Sequence, residues 1–142
     1  MMVSFSASVC GPFLFKRIIM LKQDFVDYVE KNPDLTTLGF GVDTDIRFHY
    51  NHANEHQDLK NYQEAVEVCK EMLTKEYLIS ALAEDTCNSY HLKHLAERYA
   101  RDVLGKNIYI PEGAFVVAVL CLGLPYKRCK TTPGILIRLK KK

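Results

Sequence analysis

The chain predicts a mainly α fold: a small single-domain helical bundle with one or two short strands. Three observations carry this expectation. Apolar residues recur every three or four positions over two long central stretches. A run of nine apolar residues, Ala114 to Leu122, supplies a segment for the middle of a core. Period-two alternation is confined to short pieces. At 142 residues, with 48% hydrophobic and 25% charged side chains, the chain has the size and composition of one globular domain. These figures exclude a collagen, a disulfide miniprotein and a polytopic membrane protein.

From Leu21 to Asn32 the apolar residues Leu21, Phe25, Val26, Tyr28 and Val29 fall on one helical face, with Lys22, Asp24, Asp27 and Glu30 opposite. Asn32-Pro33 ends this helix, because a residue before proline is pushed out of the α region. Gly39-Phe40-Gly41 breaks the chain again. Thr44 to Tyr50 alternates and reads as a half-buried strand.

The stripe Leu59, Tyr62, Val66, Cys69, Leu73 predicts a helix. Tyr77, Leu78, Ala81 and Leu82 predict a second helix or a kink after it. Asp85 to Ser89 is turn and N-cap chemistry. It leads into a helix with Leu92, Leu95, Ala96, Tyr99 and Val103 on its core face and Gly105 as its left-handed stop. Pro111 and Glu112 suit a first helical turn. The run Ala114–Leu122 is apolar on every side, so periodicity leaves helix and buried strand both open. Ile135 to Leu139 has strand character between Pro133-Gly134 and the terminal lysines.

Charge divides the chain. Its formal net charge is +2, yet the stretch from Pro125 to Lys142 holds seven basic residues and no acid, against 12 basic and 17 acidic residues before it. The expected organisation is an extension or mis-assigned start over residues 1–19, with Met20 as the functional start. A helical domain over 20–124 and a basic C-terminal segment over 125–142 follow. Lys127, Arg128, Lys130, Arg138, Lys140, Lys141 and Lys142, interleaved with Tyr126, suit contacts to phosphates. The leading functional expectation is a non-enzymatic accessory protein that binds nucleic acid through these residues. An acidic protein surface or an anionic membrane surface also matches this charge.

The five histidines lie in two clusters. His52-Ala-Asn-Glu55-His56 matches an inverted zinc-protease pattern, with His49 beside it. Cys87, His91 and His94 place three further potential ligands on one helical face. The alternative expectation is a small metal-dependent hydrolase or nuclease with zinc or another divalent ion held by His49, His52, His56, Cys87, His91 and His94. A third is a protein-partner module. The five cysteines form no C-x-x-C pair, and with no signal peptide in view the expected compartment is the cytoplasm. Arg128 and Lys130 flank Cys129 and favour its thiolate, but no general base accompanies it. No phosphate loop, nucleophile elbow or dinucleotide fingerprint is present.

Ser89-Tyr90-x-Leu92-Lys93-His94-x-Ala96-Glu97, followed by Ile110-x-x-Gly113-Ala114-Phe115, resembles a pattern in uncharacterised small proteins of bacterial mobile elements and prophages. The resemblance covers about a quarter of the chain. It implies a bacterial or phage-derived setting and no assigned activity.

Overall fold

The long apolar stripes fold as helices, and short segments become strands where a distant partner is at hand. The computed structural model describes residues 21–41, 52–80, 83, 85–130 and 132–142. Residues 1–20, the expected strand Thr44–Tyr50, and His49 lie outside the described residues. Among the described residues, five helices and six strands follow in the order α1 (Lys22–Lys31), β1 (Leu35–Thr36), β2 (Gly39–Phe40), α2 (His52–Leu59), α3 (Gln63–Glu76), β3 (Tyr77–Ile79), β4 (Asp85–Asn88), α4 (Ser89–Leu104), α5 (Glu112–Leu122), β5 (Lys127–Arg128) and β6 (Ile135–Lys141).

The caps explain the helix ends. At the close of α1, Asn32 Nδ2 donates to Tyr28 O at 2.8 Å. Asn88 caps α4, its Oδ1 accepting from the His91 N–H at 2.7 Å, and Gly105 closes that helix at φ 67°. Helix α5 settles the ambiguity of the apolar run. Pro111 precedes it, Gly123 ends it, and Gly113 through Val119 are all buried. It packs against α3, α4, β1 and β2, so its apolar circumference is matched by core on every side. Phe25, Leu35, Leu59, Leu73, Leu92 and Phe115 complete that core. Each such side chain contributes about 1.5–3 kcal/mol relative to exposure.

The expected mainly α bundle is corrected to an α+β fold. A two-stranded hairpin (β1–β2) and a four-stranded antiparallel sheet accompany the helices. In the larger sheet β6 is the common partner: β4 pairs along one edge, β3 and β5 along the other. The segment beginning at Tyr77 is strand β3 rather than further helix, because Tyr77, Leu78 and Ile79 pair with Lys141, Lys140 and Leu139. Asp85–Asn88 has turn-like composition, yet pairs with Leu139 to Leu136 before α4 begins. Strands this short give no readable alternation, and their pairing partner lies far along the chain. No described helix is long and apolar enough to cross a membrane.

Candidate functional site

Strand β6 sorts the basic residues by the period of two. Ile135, Ile137 and Leu139 face the core, while Leu136, Arg138 and Lys140 face outward. Their paired positions share that outer face: Lys127 and Asn88 beside Leu136, Thr86 beside Arg138, and Leu78 beside Lys140. This face thus presents Lys127, Arg138 and Lys140, whose cross-strand neighbours are Leu136, Thr86 and Leu78. A cavity of about 330 Å³ opens on it, lined by Ser80, Thr86, Tyr126, Lys127, Leu136 and Arg138 among others.

The other four basic residues lie elsewhere. Arg128 stacks over the Phe40 ring at 4.1 Å and pairs with Asp34 at 3.1 Å, and Phe40 in turn stacks on Tyr126. Lys141 pairs with Glu76 at 3.5 Å, and Lys142 Nζ donates to Thr74 O at 2.9 Å. Lys130 is exposed in the β5–β6 connection.

The histidines serve local contacts. His52 and His56 stack one turn apart on α2, with ring centroids 6.3 Å apart. His56 Nδ1 lies 2.6 Å from Leu35 O, and Thr37 Oγ1 donates to Glu55 Oε1. The Glu of the H-x-x-E-H pattern therefore fastens α2 to the β1–β2 turn. Cys87 is half-buried on β4, His91 is exposed on the first turn of α4, and His94 Nδ1 lies 3.0 Å from Glu97 Oε1. Among the described residues no group of three or more His, Cys, Asp or Glu side chains is placed to hold a metal ion.

A polar cluster lies at the junction of α4, α5 and β6. Ser89 Oγ accepts from the Ile135 N–H at 2.9 Å and donates to Glu112 Oε2 at 2.5 Å. Gly134 makes room for this arrangement, since an added Cβ would stand 2.7 Å from Ser89 Oγ and closer still to Glu112 Oε2. Burial raises the Glu112 carboxyl above its ordinary pKa, against the opposing pull of the Ser89 hydroxyl, Lys93 and His94. One turn beyond Ser89, Lys93 is buried, its ammonium 4.6 Å from the Tyr109 ring centroid and 3.6 Å from Glu97. Burial pushes Glu97 upward too, but the Ile110 N–H, donating at 2.9 Å, together with His94 and Lys93, outweighs it and holds the carboxyl below the usual range.

These residues coincide with the Ser89–Glu97 and Ile110–Phe115 pattern singled out in the sequence. Ser89, Lys93 and Glu97 stand four residues apart on one helical face, a signal that was readable in advance. The part played by Glu112 was not, because it depends on Ser89 and Ile135. Beside the cluster lies a larger cavity of about 530 Å³, lined by Leu38, Asn88, Tyr90, Glu112, Pro133 and Leu136 among others, with half-buried Cys129 at its wall. No known protein family matches the chain, and neither a curated protein nor a solved structure matches it.

Proposed function

We propose that the protein is a non-enzymatic accessory protein that binds single-stranded nucleic acid on the outer face of the β3–β6–β4 sheet. The observation that carries this reading is the outer face itself, on which Lys127, Arg138 and Lys140 alternate with the neutral cross-strand neighbours Leu136, Thr86 and Leu78. Alternate residues of a strand stand about 7 Å apart, so Arg138 and Lys140 form a short cationic row along which a phosphodiester backbone can lie. Tyr126, 41% exposed, and Leu78, 56% exposed, add surfaces on which bases can rest between the charges. Lys130 is exposed in the β5–β6 connection that follows Lys127. Arg128 and Lys141 have protein carboxylates beside them and contribute less. The bacterial mobile-element setting implied by the α4–α5 pattern accords with such a role.

Fluorescence anisotropy of a labelled oligothymidylate over a salt series tests the proposal. Three phosphate contacts give a slope of log K against log salt of about −2 for a single strand. Arg138→Glu combined with Lys140→Glu should weaken binding and flatten that slope by about 1.4. Lys22→Glu, on exposed α1, should change neither. Binding that ignores salt, or an equal loss in the Lys22 variant, refutes the proposal.

A further inference from the structure

The larger cavity adjoins the cationic face. Leu136 lines both cavities, and its cross-strand partners are Lys127 on one side and Asn88 on the other. At about 530 Å³ the space falls within the usual range for small-ligand clefts, about 300–1,000 Å³. Its walls are mostly apolar: Leu38, Pro133, Leu136 and the ring of Tyr90, which is 59% exposed. Thr132 and Cys129 also line it, but Glu112 and Asn88 give it chemical direction. Glu112 offers acceptors only when ionised, and its Oε2 is already steadied by Ser89. Asn88 Oδ1 is committed to the His91 N–H, which leaves the Asn88 amide nitrogen as a donor.

We infer that this cavity is a base pocket selective for guanine, taking one unstacked nucleobase from a strand lying on the sheet. The inference rests on the nucleic-acid reading above and deepens it. Among the four common bases, only guanine presents two adjacent N–H donors beside a carbonyl on its Watson–Crick edge. N1–H and the N2 amino group match a carboxylate, and O6 matches an amide donor. Adenine and cytosine turn a ring-nitrogen lone pair toward the carboxylate, and uracil flanks its single N–H with two carbonyls. Tyr90 supplies a face for stacking, as aromatic side chains do for splayed single-stranded bases. Glu112 is positioned by groups from α4 and β6 before any ligand arrives, so little ordering accompanies binding.

The test uses the full chain and labelled eight-residue oligouridylates carrying one central guanosine, inosine or adenosine, or none. Guanosine should tighten binding roughly tenfold over adenosine, the discrimination given by one good bidentate pair. Inosine, which lacks the exocyclic amine, should fall between them. Glu112→Gln should bring the guanosine and adenosine affinities within about twofold of each other. Tyr90→Ala removes a mostly exposed ring, so it reports on the pocket even if the Glu112 variant folds poorly. It should weaken guanosine binding selectively. Salt-dependent binding with no guanosine preference, or a preference that survives both substitutions, overturns the pocket assignment alone. Failure of all four oligomers to bind overturns the nucleic-acid reading and the pocket with it.

Discussion

Replacing Gly113 with alanine sets two effects of opposite sign against each other. Inside a helix, glycine to alanine ordinarily stabilises by about 1 kcal/mol, because alanine loses less backbone entropy. Gly113, however, lies against the β1–β2 turn. A Cβ there would stand 2.9 Å from the carbonyl carbons of Thr36 and Thr37, and closer still to Thr36 O. These are backbone atoms and cannot rotate aside. The Gly113 N–H also donates to Thr37 O at 2.8 Å, which holds the two segments together. Forcing them apart disturbs the seat of a helix buried from Gly113 to Val119. Overpacking of this kind costs about 3 kcal/mol, so a net destabilisation of about 2 kcal/mol is expected after the helical gain. Urea unfolding followed by circular dichroism should show a lower midpoint at unchanged slope, and thermal melting should fall by about 5–10 °C. Gly105→Ala is the contrasting variant. Nothing stands within 4 Å of its added Cβ, so its cost comes from the positive φ of 67° alone, about 1 kcal/mol. A Gly113→Ala protein as stable as the parent, or more so, would show that α5 does not seat on Thr36.

Further expectations follow from the same contacts. Ser89→Ala leaves the Ile135 N–H without its acceptor and Glu112 without its donor, and should cost about 1–3 kcal/mol in denaturant unfolding; an unchanged midpoint contradicts the bridging role. The folded-state pKa of Glu97 lies below its ordinary value, so its stabilisation is present above that value and disappears as the pH falls through the lowered one. Glu97→Gln should therefore reduce stability at neutral pH and flatten the loss below about pH 4.5, read from melting temperatures across an acid series. Cys69 is fully buried, and burial drives its thiol pKa far up, so iodoacetamide should modify it only after unfolding while half-buried Cys129 reacts in the native protein. Native labelling of Cys69, detected by peptide mass mapping, would place it outside the core.

Elements whose limits are written in local chemistry were legible in the sequence. Asn32-Pro33 after α1, Asn88 before α4 and Gly105 behind it are short-range signals, and the chain obeys them. The strand character of Ile135–Leu139 was legible as well. What was not legible is pairing. Tyr77–Ile79 and Asp85–Asn88 become strands because β6 reaches both, and neither carries a period long enough to announce it. The candidate site divides in the same way. The count of basic residues was visible, but only the pleat of β6 separates Arg138 and Lys140 on the open face from the core-facing Leu139. Glu112 looked like a favourable first-turn acid. Its hydrogen bond with Ser89 and the cavity it lines are products of tertiary packing, which no local pattern encodes.

The dependence of three strands on β6 has a consequence for how the molecule assembles. Among the described residues, Tyr77 through Ile79 and Asp85 through Asn88 have no strand partner in the sheet except one that lies about fifty to sixty residues downstream. Only β5 meets β6 across a short loop, Lys127 opposite Leu136. The hairpin of β5 and β6 is therefore the inexpensive nucleus in entropy, and the other strands join after long loops have closed. Until that closure, the backbone groups of β3 and β4 belong to water. Strands β3 and β4 should thus join the hairpin late, with amide protection in both rising together on the timescale of docking rather than of helix formation.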